Sequence, residues 1–150
     1  GIVLPDGVLG NPDNEYIRYW IMANCQVLAS VDLPVETFLP RTGTQTSVLI
    51  LRRKSEQEKL AESLSGEAPD YSIFMAIAKT VGKDRRDSIT FVRDDLGREV
   101  LRRDIYDEYR DSTILEYLPT VEPGGRIVDD DLPHIAREFS SFGNNPKKRT

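Results

Sequence analysis

Apolar residues in the first 54 positions fall into three short runs separated by polar turns. The runs occupy residues 1–4, 27–33 and 46–51. An apolar run without polar alternation is typical of a strand buried on both faces, as in the centre of a parallel sheet. We therefore predict a central strand at residues 1–4. Because such a strand needs neighbours on both sides, we expect the sequence to be part of a larger protein.

Residues 11–24 carry the pattern of a helix between the first two strands. Asn11 is a suitable N-cap, Pro12 occupies the first helical position, and acidic residues follow in the first turn. Four large apolar residues then recur at helical spacing: Tyr16, Ile17, Trp20 and Ile21. This spacing predicts an apolar stripe that packs on the sheet. The next two strands have no helix between them, so we expect antiparallel neighbours within an α/β fold.

Patterns in the second half of the chain are weaker. Residues 55–70 are polar and predict a surface loop or a short exposed helix, whereas apolar alternation within residues 71–81 favours a strand. Residues 94–97 have the composition of a hairpin turn. Asp131, followed by a proline two positions later, predicts the N-cap of a final helix that extends to Phe142.

Composition excludes several classes of protein. The apolar runs fall far short of the roughly 20 residues that a membrane-spanning helix needs, so we predict no membrane partner. Cys25 is the only cysteine and His134 the only histidine. This excludes a disulfide framework and a Cys/His zinc site, and it is typical of the reducing cytoplasm. The net charge of −5 weakly disfavours a dedicated nucleic-acid module. Lysine and arginine, the residue types that contact phosphates, nevertheless occur in four clusters, at residues 52–54, 83–86, 102–103 and 147–149.

Motifs with a defined chemistry are few. Neither a P-loop nor a G-x-G-x-x-G dinucleotide motif occurs in the sequence. Gly7 and Gly10 bracket a predicted turn, and the conformational freedom of glycine is the simplest reason for them. Residues 129–131 are three consecutive aspartates that suit a hard cation, but the start of the final helix explains them without a ligand.

The most informative residue is Phe38, in the loop between the second and third strands. Prolines and small polar residues flank it, and an aromatic side chain in a stiff loop at a strand end is well placed to stack on a planar ligand. The alternative is that Phe38 folds back and holds the loop on the core. The spacing leaves both interpretations open.

Several segments, taken in order, resemble the modification subunit of type I restriction–modification systems, a family of adenine-specific DNA methyltransferases. The resemblance is carried by residues 2–9 (IVLPDGVL), 16–20 (YIRYW), 32–38 (DLPVETF), 42–49 (TGTQTSVL), 74–78 (FMAIA), 81–86 (VGKDRR) and 129–135 (DDDLPHI). It covers most of the chain and is weakest between residues 94 and 127.

The resemblance implies the C-terminal portion of a Rossmann-like, S-adenosylmethionine-dependent methyltransferase sheet with a mixed α+β extension. Residues 1–54 would form the C-terminal half of the catalytic domain, 55–70 a polar loop, and 71–150 a family-specific extension with a basic tail. Such enzymes transfer a methyl group to the exocyclic nitrogen of an adenine that is flipped out of the duplex. The family's Gly-rich cofactor motif and its Asn-Pro-Pro-aromatic catalytic motif are both absent from these residues, so we expect the chain alone to be inactive.

Site residues follow from the same resemblance. It implies that Phe38 packs against one face of the flipped adenine, whereas Arg41, Thr42 and Thr44 contact the target strand. Pro5 and Asp6 lie at the carboxyl end of the first strand, on the edge where open α/β sheets bind ligands. No catalytic residue and no metal ligand is predicted in this chain.

Expected partners are DNA, a specificity subunit and a restriction subunit, in the cytoplasm. An open sheet edge also favours self-association of the isolated chain. A second interpretation remains open, in which the chain is a catalytically empty relative that is retained as a DNA- or subunit-binding module.

Overall fold

The computed structural model describes residues 1–67, 69–104 and 124–143. These residues form two compact units. The first contains residues 1–33, 44–77 and 141–143, and the second contains residues 34–43, 78–104 and 124–140. The basic cluster predicted at residues 147–149 lies outside the described residues. Among those described, no helix has the length and apolar character needed to cross a membrane.

A four-stranded mixed sheet forms the first unit, in the order β1-β3-β2-β4. The strands are β1 (Ile2–Pro5), β2 (Cys25–Leu33), β3 (Thr46–Arg53) and β4 (Phe74–Ile77). β3 pairs antiparallel with both β1 and β2, and β4 pairs parallel with β2. The antiparallel pairing of the second and third predicted strands is confirmed, as is the strand within residues 71–81.

The strand predicted at residues 1–4 is present as β1, and its central position within the sheet of a larger protein stays a prediction. Within the described residues β1 pairs with β3 alone, and Ile2 and Val3 are exposed. The interior strands of the described sheet are β3 and β2, and β3 begins more than 40 residues after the start of β1. The core of this unit lies where β2 meets β3 and α2: its buried apolar residues are Ile21, Ala29, Leu33 and Leu49.

The predicted helix at residues 11–24 is divided, and it is preceded by another. α1 (Asp6–Gly10) follows β1 directly, a 3-10 turn covers Pro12–Asn14, and α2 spans Glu15–Asn24. Asn11 caps the 3-10 turn as predicted, since its side chain accepts a hydrogen bond from the Asp13 backbone at 2.9 Å. Gly7 and Gly10 lie within α1 or at its end and have no left-handed conformation, so the prediction that they serve turn geometry is wrong.

The apolar stripe of α2 is only partly buried. Ile21 faces the core, but Tyr16 and Trp20 are mainly exposed, as is Tyr19 beside them. Helical spacing fixes which side chains share a face but not how much of that face is covered. The predicted packing of the stripe on the sheet is therefore confirmed for Ile21 but not for Tyr16 and Trp20.

α3 (Glu56–Ser65) confirms the exposed-helix alternative for the polar segment. Ser55 and Glu58 form a reciprocal capping box at its start, and Gly66 ends it in a left-handed conformation. The last helix, α4 (Leu132–Gly143), begins where the sequence predicts. The Oδ2 atom of Asp131 accepts hydrogen bonds from the backbone of Lys79 and Thr80, which the N-cap prediction did not include.

Short antiparallel bridges build the second unit. Two hairpins, residues 83–89 and residues 93–99, close through the pairs Lys83–Ile89 and Arg93–Glu99. The second contains the turn predicted at residues 94–97. Further bridges join residues 81–101 to residues 126–130, and Ile127 is almost completely buried among them.

Candidate active site

Three strands of the first unit end at the same edge of the sheet. β1 and β2 each run antiparallel to β3, so they are parallel to one another, and β4 is parallel to β2. Their carboxyl ends are Pro5, Leu33 and Ile77, respectively. The carboxyl ends of parallel strands are the usual position for ligand sites in α/β sheets. Pro5 and Asp6 lie at this edge, as predicted.

Polar contacts at this edge fix Asp6 in place. The Asp6 backbone donates a hydrogen bond to the Gln45 carbonyl at 3.1 Å, and the hydroxyl of the buried Ser47 donates to Asp6 Oδ1 at 3.1 Å. Gln45 also donates to Asp32 Oδ1 at 3.4 Å, so a second carboxylate joins the same polar group. Thr44 is exposed and immediately precedes Gln45 in the chain.

Phe38 lies in the second unit, on a tight turn. Its carbonyl accepts hydrogen bonds from the backbone of Arg41 at 3.0 Å and of Thr42 at 3.1 Å. Its side chain is 37% exposed. A ring of which about one third is open to solvent is partly held and partly available for stacking. This geometry is compatible with both interpretations of Phe38.

The hairpin at residues 83–89 holds the loop that carries Phe38. Lys83 Nζ donates to the carbonyl of Leu39 at 3.2 Å and pairs with Asp87 at 2.7 Å. Arg85 Nε pairs with Glu36 Oε1 at 3.1 Å. The backbone N–H of Glu36 and then the Arg85 guanidinium lower the pKa of this carboxyl below its ordinary value. The pair is therefore ionised at neutral pH.

An aspartate shapes each hairpin in the same way. Asp84 Oδ1 accepts hydrogen bonds from the backbone of Ser88 at 3.0 Å and of Arg86 at 2.8 Å, and these bonds lower the pKa of Asp84. Asp94 accepts equivalent bonds from residues two and four positions further on, at 3.0 and 2.8 Å. Side-chain bonds of this kind rigidify a turn, because they replace water on backbone donors that the turn leaves unpaired.

The first 109 residues match the family model of the N-6 DNA methylases. The match covers both sheet-edge residues, the Phe38 turn and both hairpins. This chain belongs to the N-6 DNA methylase family. No curated protein matches it. Membership of the family confirms the resemblance found in the sequence and assigns the chain to DNA adenine methyltransferases.

The structure divides the predicted site residues of this methylase between its two units. Pro5, Asp6 and Thr44 belong to the first unit, and Phe38, Arg41 and Thr42 to the second. The Phe38 turn unites the second group, because Arg41 and Thr42 both donate to the Phe38 carbonyl. The sequence missed Lys83 and Arg85 as partners of this turn, since a bond to a backbone carbonyl 44 residues away leaves no local signal.

Gly7 and Gly10 of the N-6 DNA methylase chain have open space beside them, because a Cβ atom added at either position would meet no protein atom within 4 Å. The described residues contain no group of His, Cys, Asp and Glu side chains arranged to hold a metal ion.

A cavity of about 890 Å³ opens elsewhere on the first unit, between α2, α3 and residues 69–73. Its most buried charge is Lys54, whose Nζ donates to the Met22 carbonyl at 2.7 Å and pairs with Glu62 at 2.6 Å. The protein itself thus satisfies this charge. The cavity contains none of the residues of the sheet edge or of the Phe38 turn.

Proposed function

We propose that this chain supplies the target-base side of the active site of a DNA adenine-N6 methyltransferase from a restriction–modification system. The observation that carries the proposal is the N-6 DNA methylase match over residues 1–109, which includes the partly exposed Phe38 on its hydrogen-bonded turn. In the mechanism we propose, the Phe38 ring stacks on one face of an adenine that has left the duplex. Arg41, Thr42 and Thr44 contact the target strand.

The fold that we propose for the intact domain is Rossmann-like. Two features support this: β1 and β2 are parallel strands joined through helices, and β3 is inserted between them in the opposite direction. In that fold Pro5 and Asp6 would border the base. S-adenosylmethionine would supply the methyl group, and a segment with the family's Gly-rich and Asn-Pro-Pro-aromatic motifs would bind it.

A stacked aromatic ring performs a defined task in this reaction. Flipping breaks the stacking and pairing of the adenine, at a cost of a few kcal/mol. Stacking on an aromatic side chain returns roughly 1–3 kcal/mol for each base. Phe38 would thus offset part of the cost of flipping and hold the purine plane in a single orientation for methyl transfer.

Replacement of Phe38 tests the proposal. We expect Phe38→Ala to lower kcat/KM for methylation about 5- to 150-fold, which corresponds to the loss of roughly 1–3 kcal/mol of stacking. Phe38→Tyr should retain most of the activity, because it keeps the ring. The assay requires the methyltransferase together with the segment that bears the two missing motifs.

Controls separate stacking from folding. Leu96→Ala removes a largely exposed apolar side chain from the tip of the second hairpin, and it should leave kcat/KM unchanged. Circular dichroism should show the same fold for all variants. Unchanged methylation by a folded Phe38→Ala variant would contradict the proposal. DNA binding without any methylation by the assembled wild-type enzyme would instead support a catalytically empty binding module.

We extend the proposal to the partners of the family. DNA would be the substrate, a specificity subunit would select the target sequence, and a restriction subunit would complete the system in the cytoplasm. Co-purification of the tagged methyltransferase from its native host, followed by mass spectrometry, tests these partners. Recovery of the methyltransferase without a specificity subunit would contradict this part of the proposal.

A further inference from the structure

The loop at Pro34–Gly43 is only partly packed. None of its ten residues is fully buried, and the apolar side chains of Val35 and Leu39 are half-buried. A 3-10 turn at Val35–Thr37 and the bonds to the Phe38 carbonyl give the loop its local shape. With no fully buried anchor, the loop also relies on polar contacts to hold its position.

Two such contacts bracket Phe38. Arg85 holds Glu36, two residues before it, and Lys83 holds the carbonyl of Leu39, one residue after it. Both cations come from a single hairpin, residues 83–89. A pair of attachments on either side of one residue restrains rotation of the loop as well as its displacement, which a single attachment does not.

The hairpin is a firm support. Asp84 accepts two backbone bonds across its tip, and Gly82 donates to the Asp129 carbonyl at 2.8 Å. A Cβ atom on Gly82 would lie 3.0 Å from Val128, so the hairpin base packs closely on the neighbouring strand. Asp87 pairs with Lys83 and thereby restrains the lysine that reaches the loop.

The second hairpin provides an internal comparison. Residues 93–99 have the same aspartate-centred turn, but their arginines bond within the hairpin. Arg98 pairs with Asp94 at 2.9 Å, and Arg93 bonds to Gly97 and Glu99. Basic side chains on a hairpin of this kind therefore do not always bond to another segment of the chain. The outward contacts of Lys83 and Arg85 are specific to the first hairpin.

We propose that Lys83 and Arg85 are positioning residues, which hold the Phe38 ring in the orientation needed to stack on the flipped adenine. This inference rests on the proposed function. Neither residue needs to contact the base or the methyl donor. Their role is to keep the Pro34–Gly43 loop in one conformation before the base arrives, so that ordering it costs nothing at the time of binding.

Tryptic cleavage of the chain tests the restraint without any activity. Trypsin cuts after Arg41, within the loop, and cleavage requires local opening. Because Lys83→Met removes a hydrogen bond from a charged group, we expect the initial cut after Arg41 to be about 5- to 20-fold faster. Lys83→Arg, which keeps a cationic donor, should be slower than Lys83→Met. Arg98→Met, which removes an ion pair from the second hairpin, should equal the wild type.

A double-mutant cycle tests the link to the base. In the assembled methyltransferase, Lys83→Met should lower kcat/KM and reduce the fluorescence increase of a DNA with 2-aminopurine at the target position. In a Phe38→Ala background it should have almost no further effect, because a residue that acts through Phe38 has nothing left to position. A purely structural role would give additive losses.

The outcomes separate the two ideas. Faster cleavage with unchanged methylation, or equal losses in both backgrounds, would overturn the positioning role. Unchanged cleavage with Lys83→Met would overturn it as well. If Phe38→Ala itself leaves methylation intact, the proposed function fails, whatever the cleavage result. Should Lys83→Met fail to fold, Arg85→Met provides the same test, since the Arg85 side chain is mostly exposed and its loss leaves the interior intact.

Discussion

The ion pair between Lys54 and Glu62 is expected to hold α3 against the end of β3. α3 has no buried residue, and its Leu60 and Leu64 are mostly exposed, so apolar packing contributes little to its position. Lys54 is only 7% exposed, and its Nζ bridges Glu62 on α3 to the carbonyl of Met22 near the end of α2. One buried cation therefore connects both helices to the sheet.

Loss of this cation should destabilise the chain by about 3–4 kcal/mol. A hydrogen bond to a charged group contributes about 1.5–3 kcal/mol, and Lys54 makes two of them. The lower part of the summed range applies, because the Glu62 side chain is 26% exposed and regains water when its partner is lost. Lys54→Met keeps most of the apolar stem, so packing changes little. We expect Glu62→Gln to cost less, since an amide still accepts a bond from Lys54.

Urea unfolding measures the effect. Trp20, the only tryptophan, lies on α2 two residues before Met22 and reports on this region by fluorescence, while circular dichroism reports on the whole chain. Lys59→Met is a matched control, because Lys59 pairs with the exposed Glu56 and a surface pair contributes little. A loss below about 0.5 kcal/mol for Lys54→Met, the range of ordinary surface substitutions, would refute the reasoning.

Two further predictions concern glycine conformation and acid stability. Gly82 and Gly97 both have positive φ, but only at Gly82 would an added Cβ atom lie 3.0 Å from Val128. Gly97→Ala should cost about 1–2 kcal/mol of folding stability, and Gly82→Ala should lower the urea midpoint clearly more. Equal losses for the two variants would contradict this prediction. Bonds from the Arg52 guanidinium and the Ser55 backbone lower the pKa of Glu58 from 4.5 to about 2. Since the folded pKa is the lower one, the contribution of Glu58 to stability is present above pH 4.5 and is lost as the pH falls towards 2. Hydrogen exchange of α3 should accelerate in this range, and a Glu58→Gln variant should show a smaller change with pH.

The hydrophobic pattern of the sequence predicts β2 and β3, which are close in the sequence and pair with each other. The runs at residues 27–33 and 46–51 are apolar because Ala29, Leu33 and Leu49 are buried, and a short connection makes them antiparallel. The equally apolar start of the chain predicts the strand β1 but not its neighbour in the sheet. Its position in the sheet depends on pairing with residues 46–49, and nothing within residues 1–4 encodes that partner.

The candidate site shows the same limit. Phe38 and Thr42 can be selected from the sequence, because an aromatic side chain in a proline-flanked loop suits stacking and the family resemblance includes both residues. The contacts of Lys83 and Arg85 with that loop cannot be predicted from the sequence in the same way. Lys83 bonds to a main-chain oxygen, which every residue has, and Arg85 belongs to a charge cluster that resembles an ordinary solvated surface.

The central position of β3 also determines when the first unit can form during synthesis. β1 and β2 are synthesised before β3 but are not neighbours, so neither satisfies the backbone groups of the other. The closest β2–β3 pair, Leu33 and Thr46, is 13 positions apart, and the closest β1–β3 pair, Pro5 and Thr46, is 41 positions apart. The longer closure costs about 1 kcal/mol more, so β2 and β3 are expected to join before β1 docks. Until residue 53 emerges, β1 and β2 lack the strand that joins them, so the synthesis of β3 is the step at which this part of the sheet can close.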